Sequence, residues 1–442
     1  MRSLEGKKIL TFLALPYHNR ILVPVMKLLE EQGAKVTYFT AAAEAAFEIT
    51  FNEIGLPYRH AQDFLPRVKD QIDRGWADAR NEWQRRLLDS HWALQTVPLT
   101  IQDKIIRSMI ENLNCFRALV EEEKPDLCFA LHELNSWGKI LGYLCHERDI
   151  PYITFQEGLC YGHPFLYQMH VEYSTTCVCW GDTDAQVLID AGGDPKRISK
   201  LGSVDLWPAI ERTTQPTAIA EAKKKLGVEP QMQVVLFLMS HANYNVFEPD
   251  PLLRWMINRG NTAIVFKWHP ALARDVIKAA TPKLQGIPYV FSLQDYDTYD
   301  LLGMSDVCVI VGESTTGVEA LAYGKPLIAV KLPHNLYTYE SFGVAEPANG
   351  FEDIPQKIEE LLANGVPPAR QQKVEEYLAR HFTYRDNKTA HRVATLAEEI
   401  LLEREANMKG VKKKGRTIML IITPKKGSGK ASMEAKQNGK IK

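Results

Sequence analysis

Val307-Cys-Val-Ile-Val-Gly-Glu-Ser-Thr-Thr-Gly-Val-Glu-Ala-Leu-Ala-Tyr-Gly-Lys-Pro-Leu-Ile-Ala-Val330 is the stretch that decides the fold. Its first five residues form an apolar run that reads as a buried strand. The run ends at Gly312, crosses Glu313-Ser-Thr-Thr-Gly317 and turns into a short helical pattern. Gly324-Lys-Pro326 stops that pattern, and a second apolar strand begins at Leu327. Strand, helix, strand is one crossover of a parallel sheet. The junction at Ser314, Thr315 and Thr316 has the makings of an anion site, because backbone N–H groups at a helix start and three hydroxyls all donate. Glu319, one turn into the helix, suits hydrogen bonds from a sugar diol. A phosphate site beside a carboxylate points to a nucleotide-bearing ligand.

The same alternation extends in both directions. Lys8–Leu15, Ile21–Gln32, Lys35–Thr40, Ala43–Ile54 and Leu56–Tyr58 read as β-α-β-α-β. Residues 66–123 read as a helical insertion rich in Trp and Arg, with Trp76, Trp83, Arg85, Arg86 and Trp92 at roughly helical spacing. Packing against the domain and stacking on a sugar face are both open for those aromatics. The sheet resumes at Asp126–Leu131 and continues through Tyr152–Phe155 and Thr176–Trp180. Near Trp207-Pro208 the pattern changes, and Thr213-Thr-Gln-Pro-Thr217 reads as a linker. A second alternating unit starts at Gln233. The expectation is an α/β chain of two Rossmann-like, doubly wound domains facing a cleft. Residues 1–208 form the first and 209–385 the second. A terminal helix (386–405) and a basic, disordered tail (406–442) follow.

Composition narrows the function classes. The 442 residues carry 45% hydrophobic and 24% charged side chains, which suits a soluble globular protein. No stretch has the roughly 20 consecutive apolar residues of a membrane span, and the start has no pattern of a signal peptide. A cytoplasmic protein is expected. Seven cysteines, an odd number without zinc spacing, read as reduced core thiols. From Ala406 onward ten Lys and one Arg face one Glu, so the tail carries +10 and the remainder −11 of the net −1. An acidic body excludes general nucleic-acid binding. The tail allows a peripheral contact with an anionic membrane face, or is a solubilising segment without function.

Five loops after strands carry polar groups that the fold would aim at one cleft. They hold His18 with Asn19 and Arg20, His132-Glu133, Glu157-Gly158, Ser240-His241 and His269-Pro270. Asp295-Tyr-Asp297 has the letters of a metal motif but sits at a helix start, where acids cap. No metal site is expected.

From about Lys7 to Glu405 the chain resembles GT-B-type glycosyltransferases. Trp268-His-Pro270, joined to the segment through Gly324-Lys-Pro326, is similar to bacterial capsule and surface-polysaccharide biosynthesis transferases. Gln156-Glu-Gly158 resembles their paired-acid-then-glycine motif, with Gln156 in place of the first acid. The resemblance implies Glu157 as general base and His269, Ser314 and Thr315 as donor contacts. Thr316, Glu319, Ser240 and His241 join the donor side. His18 is a further catalytic candidate, and His132 and Glu133 are acceptor-side candidates. The implied activity is metal-independent transfer of a sugar from a CMP- or UDP-linked donor, without a cofactor, to a surface polysaccharide or glycolipid. Two alternatives stay open. One is a sugar-nucleotide 2-epimerase, although Lys331-Leu-Pro-His-Asn-Leu-Tyr-Thr-Tyr339 lacks the acidic, arginine-rich segment of those relatives. The other is a non-catalytic nucleotide- or glycan-binding protein of the same fold.

Overall fold

The computed structural model describes residues 4–14, 17–41, 55–87, 98–160, 171–240, 247–270, 272–332 and 338–408. Residues Met1–Leu401 form one compact unit, which holds two parallel sheets. Leu402–Lys442 form a second, whose described residues are helical to Met408.

The first sheet comprises β1 (Lys8–Phe12), β2 (Lys35–Thr40), β3 (Tyr58–His60), β4 (Leu127–Phe129), β5 (Tyr152–Phe155), β6 (Thr176–Cys179) and β7 (Ile198–Lys200). Their order is β3-β2-β1-β4-β5-β6-β7. The second comprises β8 (Gln233–Met239), β9 (Thr262–Trp268), β10 (Val290–Leu293), β11 (Val307–Val311), β12 (Leu327–Val330) and β13 (Glu346–Ala348), ordered β10-β9-β8-β11-β12-β13. Every ladder is parallel. Strand order reverses beside β1 and beside β8. In such sheets ligands bind where the order reverses, beyond the carboxyl ends of the strands.

Periodicity explains the strands. β8 beyond Gln233, β9 apart from Thr262 and Lys267, and β11 are apolar because helices cover both faces of the second sheet. Val234, Leu236, Val265 and Cys308 pack into one core layer, and Val235, Phe237, Ile264 and Val309 into the other. All seven cysteines are buried and free, with Cys177 and Cys179 Sγ atoms 4.0 Å apart on one strand face.

Residues 66–123 are helical as expected: helices Leu65–Leu87 and Leu99–Glu123 lie between β3 and β4. They cover the first sheet through Val68, Ile72, Phe116 and Leu119. Trp83 donates to Gln102 at 2.8 Å and Arg107 lies over Trp76, so these aromatics pack within the helical pair; Trp92 lies outside the described residues.

The presumed linker is two helices, Leu206–Thr213 and Pro216–Leu226, broken only at Thr214-Gln215. Leu206, Ala209 and Ala222 enter the second core. Their polar faces disguised them in the sequence. Finally, helix Pro368–His381 was not anticipated, because it buries only Tyr377, Leu378 and His381 and shows little periodicity. The terminal helix Thr389–Met408 returns to the first core through Ala390, Val393, Ala394 and Ala397. The helix expected at Ala43–Ile54 and the basic tail beyond 408 lie outside the described residues.

Candidate active site

The first-domain cluster joins three loops. Helix His18–Glu31 follows β1 in the chain, with Tyr17 at its N-cap. Tyr17 donates its phenol to one oxygen of Glu157, which follows β5. His132, which follows β4, meets the other oxygen through Nε2 at 2.5 Å. The backbone N–H of Leu134 donates to His132 Nδ1 at 3.2 Å. Nδ1 is therefore the acceptor, and the neutral ring carries its proton on Nε2, where it donates to Glu157. Burial pushes the Glu157 carboxyl upward. The His132 contact and the Tyr17 hydrogen bond override this and hold it down at about 2. Glu157 is thus an anion in the resting cleft.

His18 obeys the same rule. Ala14 N–H donates to its Nδ1 at 3.2 Å, which places the proton on Nε2. That Nε2 is buried without a hydrogen-bond partner, as are both amide atoms of Asn19. Burial lowers the His18 pKa to about 3, so the ring is neutral. Its centroid lies 6.3 Å from that of His132.

Glu133 does not belong with this cluster. It is fully buried and accepts from the backbone N–H groups of Glu172, Tyr173 and Ser174 and from the Ser174 hydroxyl. Its lone pairs are spent on pinning the chain that enters β6. Gln156 is likewise structural. Its Nε2 donates to Gly158 O at 2.9 Å and its Oε1 accepts from Trp180 N at 2.8 Å. A carboxylate only accepts, so an ionised acid here would lose one of the two bonds. That accounts for glutamine at this place.

The second-domain loop follows β11. Helix Thr316–Ala322 is short, and its first N–H groups are largely engaged. Gly317 N donates to Ser314 O, Val318 N to Thr315 O and to Tyr339 Oη, and Glu319 N to Thr315 O. The expected row of free backbone donors is therefore reduced, and the hydroxyls matter more. Ser314 and Thr316 bond each other at 2.9 Å. Tyr339 donates to Ser314 O at 2.6 Å and packs where a Gly317 Cβ would lie, so it clamps the loop. His269 follows β9 and is half-buried. Its carbonyl and those of Pro270 and Leu272 all accept from Gln294 Nε2, which sets the loop's course. Ser240 is buried and extends the β8 ladder to Val311 O. His241 lies outside the described residues.

The two halves touch. Leu159 N donates to Thr315 Oγ1 at 3.1 Å. Beside this contact lies a network that the sequence did not reveal. Tyr299 Oη donates to Asp205 at 2.8 Å and lies 3.4 Å from Glu319. Arg20 stacks over the Tyr299 ring and stands 3.9 Å from Asp205. Burial raises the Glu319 pKa to about 7, with the Asp205 charge adding to it and Arg20 opposing. Lys267 is buried with Nζ on the carbonyls of Trp268 and Gln294, and burial lowers its pKa to about 8. Tyr17, Asp205, Tyr299, Lys267 and Tyr339 carry no local motif, which is why they escaped the sequence reading.

Asp297 caps helix Thr298–Met304 by accepting from Tyr299 N and Asp300 N, as expected. Among the described residues no group of three or more His, Cys, Asp or Glu side chains is arranged to hold a metal ion. No described helix is long and apolar enough to cross a membrane.

No protein-family model matches the chain, and no curated protein matches it by sequence. Its structure is similar to solved ones. The UDP-GlcNAc 2-epimerase of Neisseria meningitidis, bound to UDP-GlcNAc, aligns with a TM-score of 0.58 at 12% identity, over 90% of this chain and 100% of that one. The UDP-GlcNAc 2-epimerase of Methanocaldococcus jannaschii, in complex with UDP-GlcNAc and UDP, gives 0.55 at 12%, over 89% and 99%. A glycosyltransferase from Rickettsia africae gives 0.53 at 13%, over 90% and 99%. At these identities the likeness shows the fold, which is GT-B-like with two Rossmann-type domains. It also corrects the sequence reading: the expected sugar transfer to a polysaccharide acceptor gives way, because the neighbours are mainly UDP-GlcNAc 2-epimerases.

Proposed function

We propose that this protein is a sugar-nucleotide 2-epimerase acting on a UDP-linked N-acetylhexosamine. The observation that carries the proposal is an ionised Glu157, gripped by Tyr17 and His132, in the cleft of a fold that many UDP-GlcNAc 2-epimerases share. The C2 hydrogen of a glycosyl nucleotide adjoins no carbonyl, so an enolate route is closed. It is lost as the C1–O bond to the nucleotide breaks. The C2–H electron pair becomes the C1=C2 bond, and the nucleotide departs with the C1–O pair. Re-addition with protonation on the opposite face inverts C2. Glu157 takes the proton from one face, and the neutral His18 Nε2–H is a donor beside it.

The leaving diphosphate gathers negative charge, which donors must meet. In this reading the hydroxyls of Thr315, Thr316 and Ser314, with His269 and Arg20, face that charge, and Glu319 faces the ribose. Thr315 suits the role because accepting from Leu159 N leaves its own proton to donate.

The test is incubation with UDP-GlcNAc in heavy water, followed by proton NMR. Deuterium at C2 together with the manno epimer supports the proposal. UDP-GlcNAc that binds and returns unlabelled overturns it and favours the non-catalytic alternative.

A further inference from the structure

Tyr17 stands outside every motif in the chain, yet it makes a hydrogen bond across 140 positions of sequence to the carboxylate on which the proposed chemistry turns. We infer that Tyr17 is a positioning residue that, together with the Nε2–H tautomer of His132, locks Glu157 in one orientation as a bare anion. The inference rests on the 2-epimerase reading for its consequence in turnover, but not for its effect on Glu157 itself.

Each carboxylate oxygen receives one donor. Tyr17 reaches Glu157 from the segment after β1 and His132 from the loop after β4, so two separate segments fix the two carboxylate oxygens. His132 is fixed in turn by Leu134 N–H, and Tyr17 by its place at the start of a helix. With one lone pair on each oxygen engaged, the others remain for a substrate proton. The third group facing Glu157 is His18, whose ring lies 4.8 Å from that of Tyr17 and is neutral through burial. Arg20 acts on the Tyr17 phenol from the same helix, opposing its upward displacement. A phenol pushed up by burial beside an anion keeps its proton across the working pH range, so it donates continuously and never competes as a base.

The experiment uses the full chain without substrate. Protein labelled with 13C at the glutamate carboxyl is titrated by NMR, with the Glu157 signal assigned by its loss in Glu157→Gln. In Tyr17→Phe the Glu157 midpoint should rise by about one unit or more, since one hydrogen bond to the charged form is lost. His132→Ala should raise it further, and His132→Gln, which keeps a donor, should recover part of that rise. Turnover of Tyr17→Phe should fall at least about tenfold with little change in KM, as for a misdirected base. An unmoved midpoint in Tyr17→Phe overturns the inference, whether or not turnover changes. Normal titration shifts without any epimerisation in the parent protein would instead sink the functional reading and leave the inference standing.

Discussion

The backbone N–H of Leu159 rests on Thr315 Oγ1 at 3.1 Å, and a Cβ placed on the neighbouring Gly158 would lie 2.4 Å from that same oxygen. The loop that carries Glu157 thus packs without slack against the loop proposed to hold the phosphates. Gly158→Ala should force the two apart, with a stability loss of about 1–3 kcal/mol, the usual cost of overpacking. Thr315→Ala removes the colliding oxygen, so the double variant should recover most of the melting temperature. Additive losses in the cycle would show that the two positions do not meet.

Glu319 should make stability fall as pH rises through neutrality. Its folded pKa of about 7 exceeds the ordinary value of 4.5, because burial and the Asp205 charge disfavour the anion. Between those values the folded state binds more protons than the unfolded one, so stability declines with pH across that window. Glu319→Gln removes this term. Its melting temperature relative to the parent should increase between pH 5 and 8, by the equivalent of about 1–3 kcal/mol. A difference independent of pH would count against the raised pKa.

Glu133→Gln should behave as a folding variant, not a catalytic one. The buried carboxylate accepts from three backbone N–H groups and one hydroxyl. An amide NH2 in its place sets donor against donor. The expected loss is about 2–4 kcal/mol, from unmet buried groups. Nucleotide affinity of the folded fraction should be unchanged, measurable by calorimetry below the melting transition. A stable variant with altered affinity would return Glu133 to the binding site.

Glu157→Gln and His269→Ala should separate chemistry from binding. The first should lose about 100-fold or more in kcat, the scale of a general base, while keeping UDP affinity. The second should weaken UDP itself, because His269 is assigned to the nucleotide and its loop is held in place by Gln294. Equal loss of UDP affinity in both variants would dissolve that division.

Much of the architecture is legible in local pattern. Val307–Val311 and Tyr152–Phe155 have the bounds their apolar spacing announces. A strand buried on both faces must be apolar throughout, and a helix with one buried stripe must repeat near 3.6 residues. The helices at Leu206–Leu226 and Pro368–His381 escaped, because few of their residues are buried and the periodic signal is correspondingly faint.

By itself, then, the sequence determined the alternating α/β order, the two-sheet division, the hydroxyl-rich turn after β11 and the set of polar loops at strand ends. Those features depend on neighbours within a few positions. Only the tertiary structure decided which polar residues act together. Glu157 finds Tyr17 and His132, whereas Glu133, one residue from His132, turns inward to hold backbone. Asp205 and Tyr299, 94 positions apart, share a hydrogen bond beside Glu319. Parallel crossovers bring distant strand ends side by side, so the partners of a loop side chain are set by strand order, and strand order is not a local property of the chain.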